Sequence, residues 1–472
     1  MTTPQITTRP VAAGGSPEGL AGRAPRPELY RPARRRTGRP GPRRLGIRAV
    51  VALILLGTLC ALAVVGSVAA RRDADALRTT VTERAAVAGQ LRFALADLDA
   101  QRADTLAPGQ SAVSPTVEVG NELVALITAQ QRRAQVSDLL RQLGADATQG
   151  TQVRALLDAL GRYDDLSGRA AYVDEQNTSR LAGFPPPIAV SMNVQAGEVM
   201  RDDLLPAASS LFAAYQKQAA QRQDQVHDAT SRWALAVGLL GLLTLALLLW
   251  WQRELARDYR RLLSLPLVGA TAAVLAVSLA GTLALTSCAS DVNTAVGQGL
   301  RPWTRLAEAR AVAAQAAATE SRWFVHDSAF GAADAAQFTE LTERLDALLT
   351  PDGYASAAER PAYEDVLTRY GHFRADDRRL RTLKAAGRTD KAAADEAAKV
   401  LTEVGRGDVA FDFWDFATTL DSLAGRQLAD FSAHATDARG SLDGWPAVPA
   451  GALGLAGVLV LLAVRPRLAE YR

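Results

Sequence analysis

Only two cysteines occur in the 472 residues, Cys60 and Cys288. That excludes a disulfide framework, and neither cysteine has neighbours spaced to hold a metal. Histidine is almost as scarce: His227, His326, His372 and His434 are scattered, with no HExxH run and no His/Cys cluster. His326 and Asp327 are adjacent, but neighbours on a helix point about 100° apart and do not converge. No phosphate-cradling glycine loop follows a strand, because strand patterning is itself lacking: alternation is poor and alanine abundant. With no positioned nucleophile, acid–base pair, metal set or cofactor cradle, the expectation is a protein that is not an enzyme and uses no cofactor.

Charge is missing from four long apolar runs. They are 49–70, 233–251, 262–287 and 446–464. Each comes close to the roughly 20 apolar residues that cross a hydrocarbon core of about 30 Å as a helix. The first run follows an arginine-rich segment, yet it is longer than a signal-peptide core and no small-residue cleavage site precedes Arg71, so an uncleaved helix is expected. None of the runs contains Asp, Glu, Lys, Arg or His. Carriers and pumps place ionisable groups within their spans, so a conducting role is disfavoured. Gly238, Gly241, Gly269, Ala273, Ala276 and Ala280 are expected to let the spans pack closely.

The charges that are present are partitioned. Residues 1–48, 252–261 and 465–472 hold 18 arginines against 5 acids, whereas 71–232 and 288–445 hold 35 basic and 45 acidic residues. Short basic flanks stay on the cytoplasmic side. Both termini are therefore expected in the cytoplasm of a bacterial plasma membrane, with the two long segments outside. Residues 1–48 are rich in proline, glycine and arginine without periodicity, and are read as a disordered basic tail that touches anionic lipid. Nothing points to nucleic acid, and self-association is left open.

Each long segment shows helical periodicity. In the first, Leu77, Val81, Leu91, Leu95 and Leu98 continue the first span. Helices follow over 117–143 and 152–181, the latter stopping at Gly183-Phe184-Pro185-Pro186-Pro187. Leu204, Leu211, Tyr215, Ala219, Val226 and Trp233 run straight into the second span. The second segment repeats the plan, with a helix through Leu306, Ala309, Ala313, Ala316 and Trp323, and a last helix from about Val409 towards Ser441. Leu160-Gly161-Arg162-Tyr163 matches Leu367-Thr368-Arg369-Tyr370 at three of four positions. The expected fold is an all-α membrane protein with four transmembrane helices and two tandem extracytoplasmic up-and-down helical bundles, 71–232 and 288–445.

Aromatics are few, and some gather. Arg322-Trp323-Phe324 and the group Phe411, Phe413, Trp414 and Phe416 are candidate partner or ligand contacts, since arginine and aromatic side chains anchor interfaces. They are equally ordinary core packing. Arg322, Trp323, Phe411, Phe413 and Trp414 are the residues singled out. Trp303 and Trp445 are expected at the membrane–water boundary. The three cytoplasmic pieces leave no room for a signalling domain, so another protein must act on whatever is sensed.

This plan of four spans, two external helical segments and little cytoplasmic mass resembles the GlnX-type membrane proteins of actinobacteria. The resemblance is architectural and carries no site residues. It implies an external solute-binding lipoprotein for glutamate or aspartate and a cytoplasmic Ser/Thr protein kinase as partners, with this chain relaying between them. The competing expectations are a direct small-ligand sensor with chemoreceptor-like bundles and an envelope scaffold.

Overall fold

The computed structural model describes residues 42–146, 148–259, 265–326, 328–354, 356–440 and 442–469. Most of the expected basic tail, the end of the 252–261 loop and the last three residues lie outside the described residues.

Three very long helices organise the chain. The first joins α1 (Pro42–Ala76) to α2 (Glu83–Asp104) through a π-helical segment, Leu77–Thr82. The second joins α5 (Pro187–Glu198) to α6 (Leu205–Tyr259) through Val199–Leu204, and the third joins α7 (Leu265–Ala295) to α8 (Arg301–Val325) through Val296–Leu300. At 1.5 Å per residue they span roughly 95, 110 and 90 Å. Two of the π-helical segments sit just before prolines, Pro206 and Pro302. A helical proline lacks its N–H and crowds the carbonyl four residues back, and a widened turn relieves that clash. The remaining segment has no proline; there the Thr82 hydroxyl donates to the Leu77 carbonyl at 2.9 Å.

Shorter helices complete each half: α3 (Glu122–Gly144) and α4 (Gly150–Glu175) in the first, then α9 (Ser328–Leu348), α10 (Arg360–Ala386), α11 (Lys391–Thr402) and α12 (Val409–Gly440) in the second. The last helix is α13 (Ala447–Ala469). Asp390 caps α11 by accepting from the Ala392 N–H at 2.9 Å. Helix α4 ends at Glu175 rather than at 181. The loop after it crosses the predicted breaker with Gly183 at φ +76°, a left-handed conformation, and a Cβ there would meet the Phe324 ring at 3.0 Å. The expectation of no strands is modified by a minimal hairpin, β1 (Gly109–Gln110) against β2 (Glu118–Val119), with Gln110 also bridged to Leu181.

Four helices are long and apolar enough to cross a membrane: α1, α6, α7 and α13. They form a ring in which α1 touches α6 and α13, and α7 touches the same two. Ala52, Leu56 and Leu59 face inward with Val237, Leu248, Val274, Ala456 and Val460, while Ile54, Leu239, Leu242, Leu279 and Leu455 point out. Outward leucine is costly in water and natural in lipid, which makes this a multi-pass membrane protein. Gly241 lies so close to the Ser278 side chain that a Cβ would overlap it, so this glycine sets the α6–α7 approach, whereas Gly269 faces Leu459 of α13 and Ala276 and Ala280, also expected at helix contacts, point outward.

Between the spans and their far end, the two halves are not separate bundles. Helices α2 and α8 pack along each other and form a shared centre. Around it the neighbours repeat by an approximate two-fold: α3 and α6 flank α2, and α9 and α12 flank α8. Trp303 is a correction to the boundary expectation. It is buried in this centre, edge-on to Phe212 at 6.1 Å, because the base of α8 is enclosed by α2 and α6. On α3, Val136, Leu139 and Leu140 are buried, whereas Leu123 and Ile127 face out because Ala125 and Ala129 occupy the packed face.

The halves also meet at the far end. Asp395 of α11 reaches the loop after β1, accepting from the Ser111 hydroxyl at 2.5 Å and from the Ala112 and Val113 N–H groups at 2.7 and 3.3 Å. Burial alone would raise this carboxyl, but these donors outweigh it and hold its pKa below the ordinary value. Its contribution is therefore present above the ordinary aspartate pKa and lost as pH falls through the depressed one. Asp395→Ala should cost about 2 kcal/mol and raise hydrogen exchange across residues 109–119 before any other stretch.

Candidate functional site

Two cavities flank the α2–α8 centre, and they are counterparts under the approximate two-fold. The larger, of about 390 Å³, lies between α2, α6, α8 and α9; the smaller, of about 240 Å³, lies between α8, α12, α2 and α3. Arg92 lines the first and Arg310 the second, and each is the tenth residue of its helix. Alanine-rich α2 and α8 let the backbones approach, which leaves the long arginines to fill the flanks.

The chemistry of the two differs. In the smaller cavity every guanidinium has its own carboxylate: Arg132 pairs with Asp97, and Arg310 with Asp421. Phe93 stacks under both arginines at 5.2 and 3.8 Å, so those cations are packed as well as paired. In the larger cavity Arg92 and Arg344 share one carboxylate, Glu308, with the Arg92 contact at 2.5 Å. Burial would raise the Glu308 pKa, but the two guanidiniums outweigh it and hold it below the ordinary value. Among the described residues Arg201, on the π-helical segment before α6, has Gln337 at 3.5 Å and the adjacent Asp202 at 3.9 Å as its polar partners. Deeper in, Arg322 is buried and pairs with Asp99, which also accepts from Tyr163 at 3.2 Å. Asp334 stands 3.6 Å from Arg322 and is itself held by His326 Nδ1 at 2.6 Å, while His326 Nε2 meets Asn193 at 3.1 Å.

Behind this network lies a layer of buried acids. Among the described residues no donor reaches either oxygen of Glu320, and burial, then Asp377, push its pKa well above the ordinary value. Burial raises Asp104 to about 7 against the pull of the Ser321 hydroxyl. Burial and Asp412 raise Asp376 to about 7. Lys384 donates to the Trp323 and Phe324 carbonyls at 2.6 Å each, and burial followed by Arg388 and Arg381 lowers it to about 7. The signs follow from linkage. Asp104 and Asp376 contribute stability that is full below pH 4 and lost as pH rises through about 7. The depressed lysine contributes stability that is full above pH 10 and lost as pH falls through 7. Thermal unfolding should therefore show a minimum near neutral pH, and Asp104→Asn should flatten its acid limb.

The five residues singled out from the sequence are dispersed. Arg322 lines the larger cavity, and Phe413 and Trp414 line the smaller. Phe411 lines a third cavity, with Arg369, His372 and Asp412 among its other walls. Trp323 lines none of these three; it carries Lys384 at 4.3 Å and Arg381 at 4.5 Å over its ring. Trp414 is exposed, whereas Phe413 packs on Phe373 at 5.6 Å. Sequence reasoning passed over Arg92, Asp99, Arg201, Glu308 and Arg344. The available signal was the seven-residue step from Arg92 to Asp99, which repeats one helix face. Among the described residues no group of three or more His, Cys, Asp or Glu side chains could hold a metal.

Fold and cavities together define a four-span helical membrane protein whose inter-span region is a pseudo-symmetric pair of helical halves. Residues 73–224, the first of those halves, match the actinobacterial sensor domain family, which supports a sensor-type actinobacterial protein. No curated protein and no solved structure matches the chain.

Proposed function

We propose that the chain is a signal transducer of the bacterial plasma membrane, with both termini cytoplasmic and the inter-span region outside. The basic excess of the short flanks and the acidic excess of the long segments support that orientation. The observation that carries the reading is helix continuity. Helices α1–α2, α5–α6 and α7–α8 each run unbroken from a span to the inter-span region, and all three line the larger cavity. Whatever favours one arrangement of that region over another also biases the spans, provided it binds the two arrangements unequally.

The architectural resemblance supplies a particular input and output. A solute-binding lipoprotein loaded with glutamate or aspartate docks outside, and a Ser/Thr kinase is held or released inside. Exposed apolar side chains on the β1–β2 hairpin, the start of α3 and the α4–α5 loop support a docking partner: Val113, Val117, Leu123, Ile127, Phe184 and Ile188. An apolar patch of that kind on a secreted face marks an interaction site. Recovering the intact protein from its native membrane with and without these amino acids tests the relay. A lipoprotein and a kinase whose yields change with amino acid support it; neither appearing sinks it. Direct sensing of a small ligand is the second reading, and the charge imbalance of the larger cavity favours it.

A further inference from the structure

We propose that the larger cavity binds a small dicarboxylate that bridges Arg201 of the second long helix to Arg344 of α9. The inference rests on the sensor reading but not on the lipoprotein relay. Its support is an imbalance. Arg92 and Arg344 share the carboxylate Glu308, Arg201 has the exposed neighbouring Asp202 at 3.9 Å, and Arg322 is matched by Asp99. The four guanidiniums and two carboxylates that line the wall leave an excess of two positive charges, offset in part by Asp202, which is exposed and lies outside the wall. Asp334 lies behind Arg322 and is held by His326, so it does not reach the surplus at the mouth.

The counterpart cavity acts as an internal control. Built by the same helices under the two-fold, it holds two guanidiniums and two carboxylates and has no excess. Close packing therefore does not demand the surplus. Arg92 is 5% exposed, lines the cavity, and its Nε has no acceptor among the described residues; Arg310 Nε in the counterpart cavity has none either, so the charge surplus, not the unpaired Nε, distinguishes the larger site.

Size and chemistry narrow the class. About 390 Å³ falls at the small end of the roughly 300–1,000 Å³ range of small-molecule sites. Guanidinium forks match planar carboxylates in pairs. Met200, Leu205, Phe212 and Ala318 give the wall an apolar part suited to a short methylene chain. Asp99 and Glu308 are already engaged by arginines, so no carboxylate is free to receive an ammonium. Plain dicarboxylates of four to six carbons fit better than amino acids.

The test is calorimetric titration of the full-length protein in detergent with succinate, adipate, glutamate and inorganic phosphate. Saturable binding of succinate or adipate, at least ten times tighter than glutamate or phosphate, is expected. Arg201→Gln and Arg344→Gln should each weaken it ten-fold or more; Arg344 is exposed and Arg201 half-buried without a close ion pair, so folding is preserved. Arg132→Gln, in the counterpart cavity, should leave it unchanged. Absent binding, a preference for glutamate or phosphate, or indifference to Arg201→Gln would each overturn the proposal. Cysteine cross-linking between α1 and α6 in vesicles separates the two readings. Binding without any change in cross-linking defeats the sensor, whereas cross-linking that responds to another stimulus, without dicarboxylate binding, defeats only the site.

Discussion

Arg322→Ala should be among the most destabilising single changes in the inter-span region, costing about 3–5 kcal/mol. The guanidinium is 4% exposed, pairs with Asp99, and lies 3.6 Å from Asp334. Removing it leaves Asp99 buried with the Tyr163 hydroxyl, at 3.2 Å, as its remaining partner among the described residues. An uncompensated buried charge is the main term in such a loss, larger than the net worth of the pair itself. The distinction is testable in detergent by thermal unfolding. Arg322→Met alone should melt far below the parent, and Arg322→Met with Asp99→Asn should recover most of the difference, since the orphaned charge is gone. Arg322→Lys should not rescue, because an ammonium lacks the fork that faces two carboxylates. Full stability of Arg322→Ala would show that the pair contributes nothing.

The second large effect is expected at Gly299. It lies in the π-helical segment Val296–Leu300, and a Cβ there would fall 2.6–2.8 Å from the Cβ, Cα and N of Phe431 on α12. The obstacle is backbone, which cannot rotate away, so Gly299→Ala must push α12 off the third long helix. Overpacking of this kind costs about 1–3 kcal/mol, and Gly299→Leu should cost more. Gly297, two residues earlier, has nothing within 4 Å of the same added atom. Gly297→Ala should be neutral or stabilising by roughly 0.5–1 kcal/mol, as alanine replaces glycine in a helix. Equal melting temperatures for the two alanine variants would refute the packing argument.

The helical character and the four apolar helices were legible because both depend on local signals. Freedom from charge over about 20 residues needs no partner to be read. Leu211, Tyr215, Ala219 and Val226 show their common face by spacing alone, and all four are buried. The shared centre was not legible. It depends on α2 meeting α8 more than two hundred residues away, and the small alanines that form much of both contact faces do not say which helix covers them. Arg92 and Glu308 read as solvated surface until that pairing is known, because a long-range ion pair leaves no periodic trace. Trp303 misled for the same reason. Its closeness to a span suggested the lipid boundary, whereas the enclosing wall comes from Gly89 and Phe212 of the other half. Arg322 and Phe413 did attract notice, one as an arginine beside a tryptophan and one within an aromatic run. Neither signal said that they lie in different cavities.

Two of the long helices carry their π-helical turn a short way past the span, at Leu77–Thr82 and Val296–Leu300. Such a turn accommodates one more residue than an α-helix would. One residue of an α-helix corresponds to about 100° of rotation. The part of each helix in lipid is thereby set to a different angular phase from the part in the shared centre. The turn works like an adjustable coupling between two shafts, letting each end present its own face to its own neighbours. Deleting one residue from either segment would remove the offset and turn the lipid-embedded end by roughly a third of a revolution against its ring.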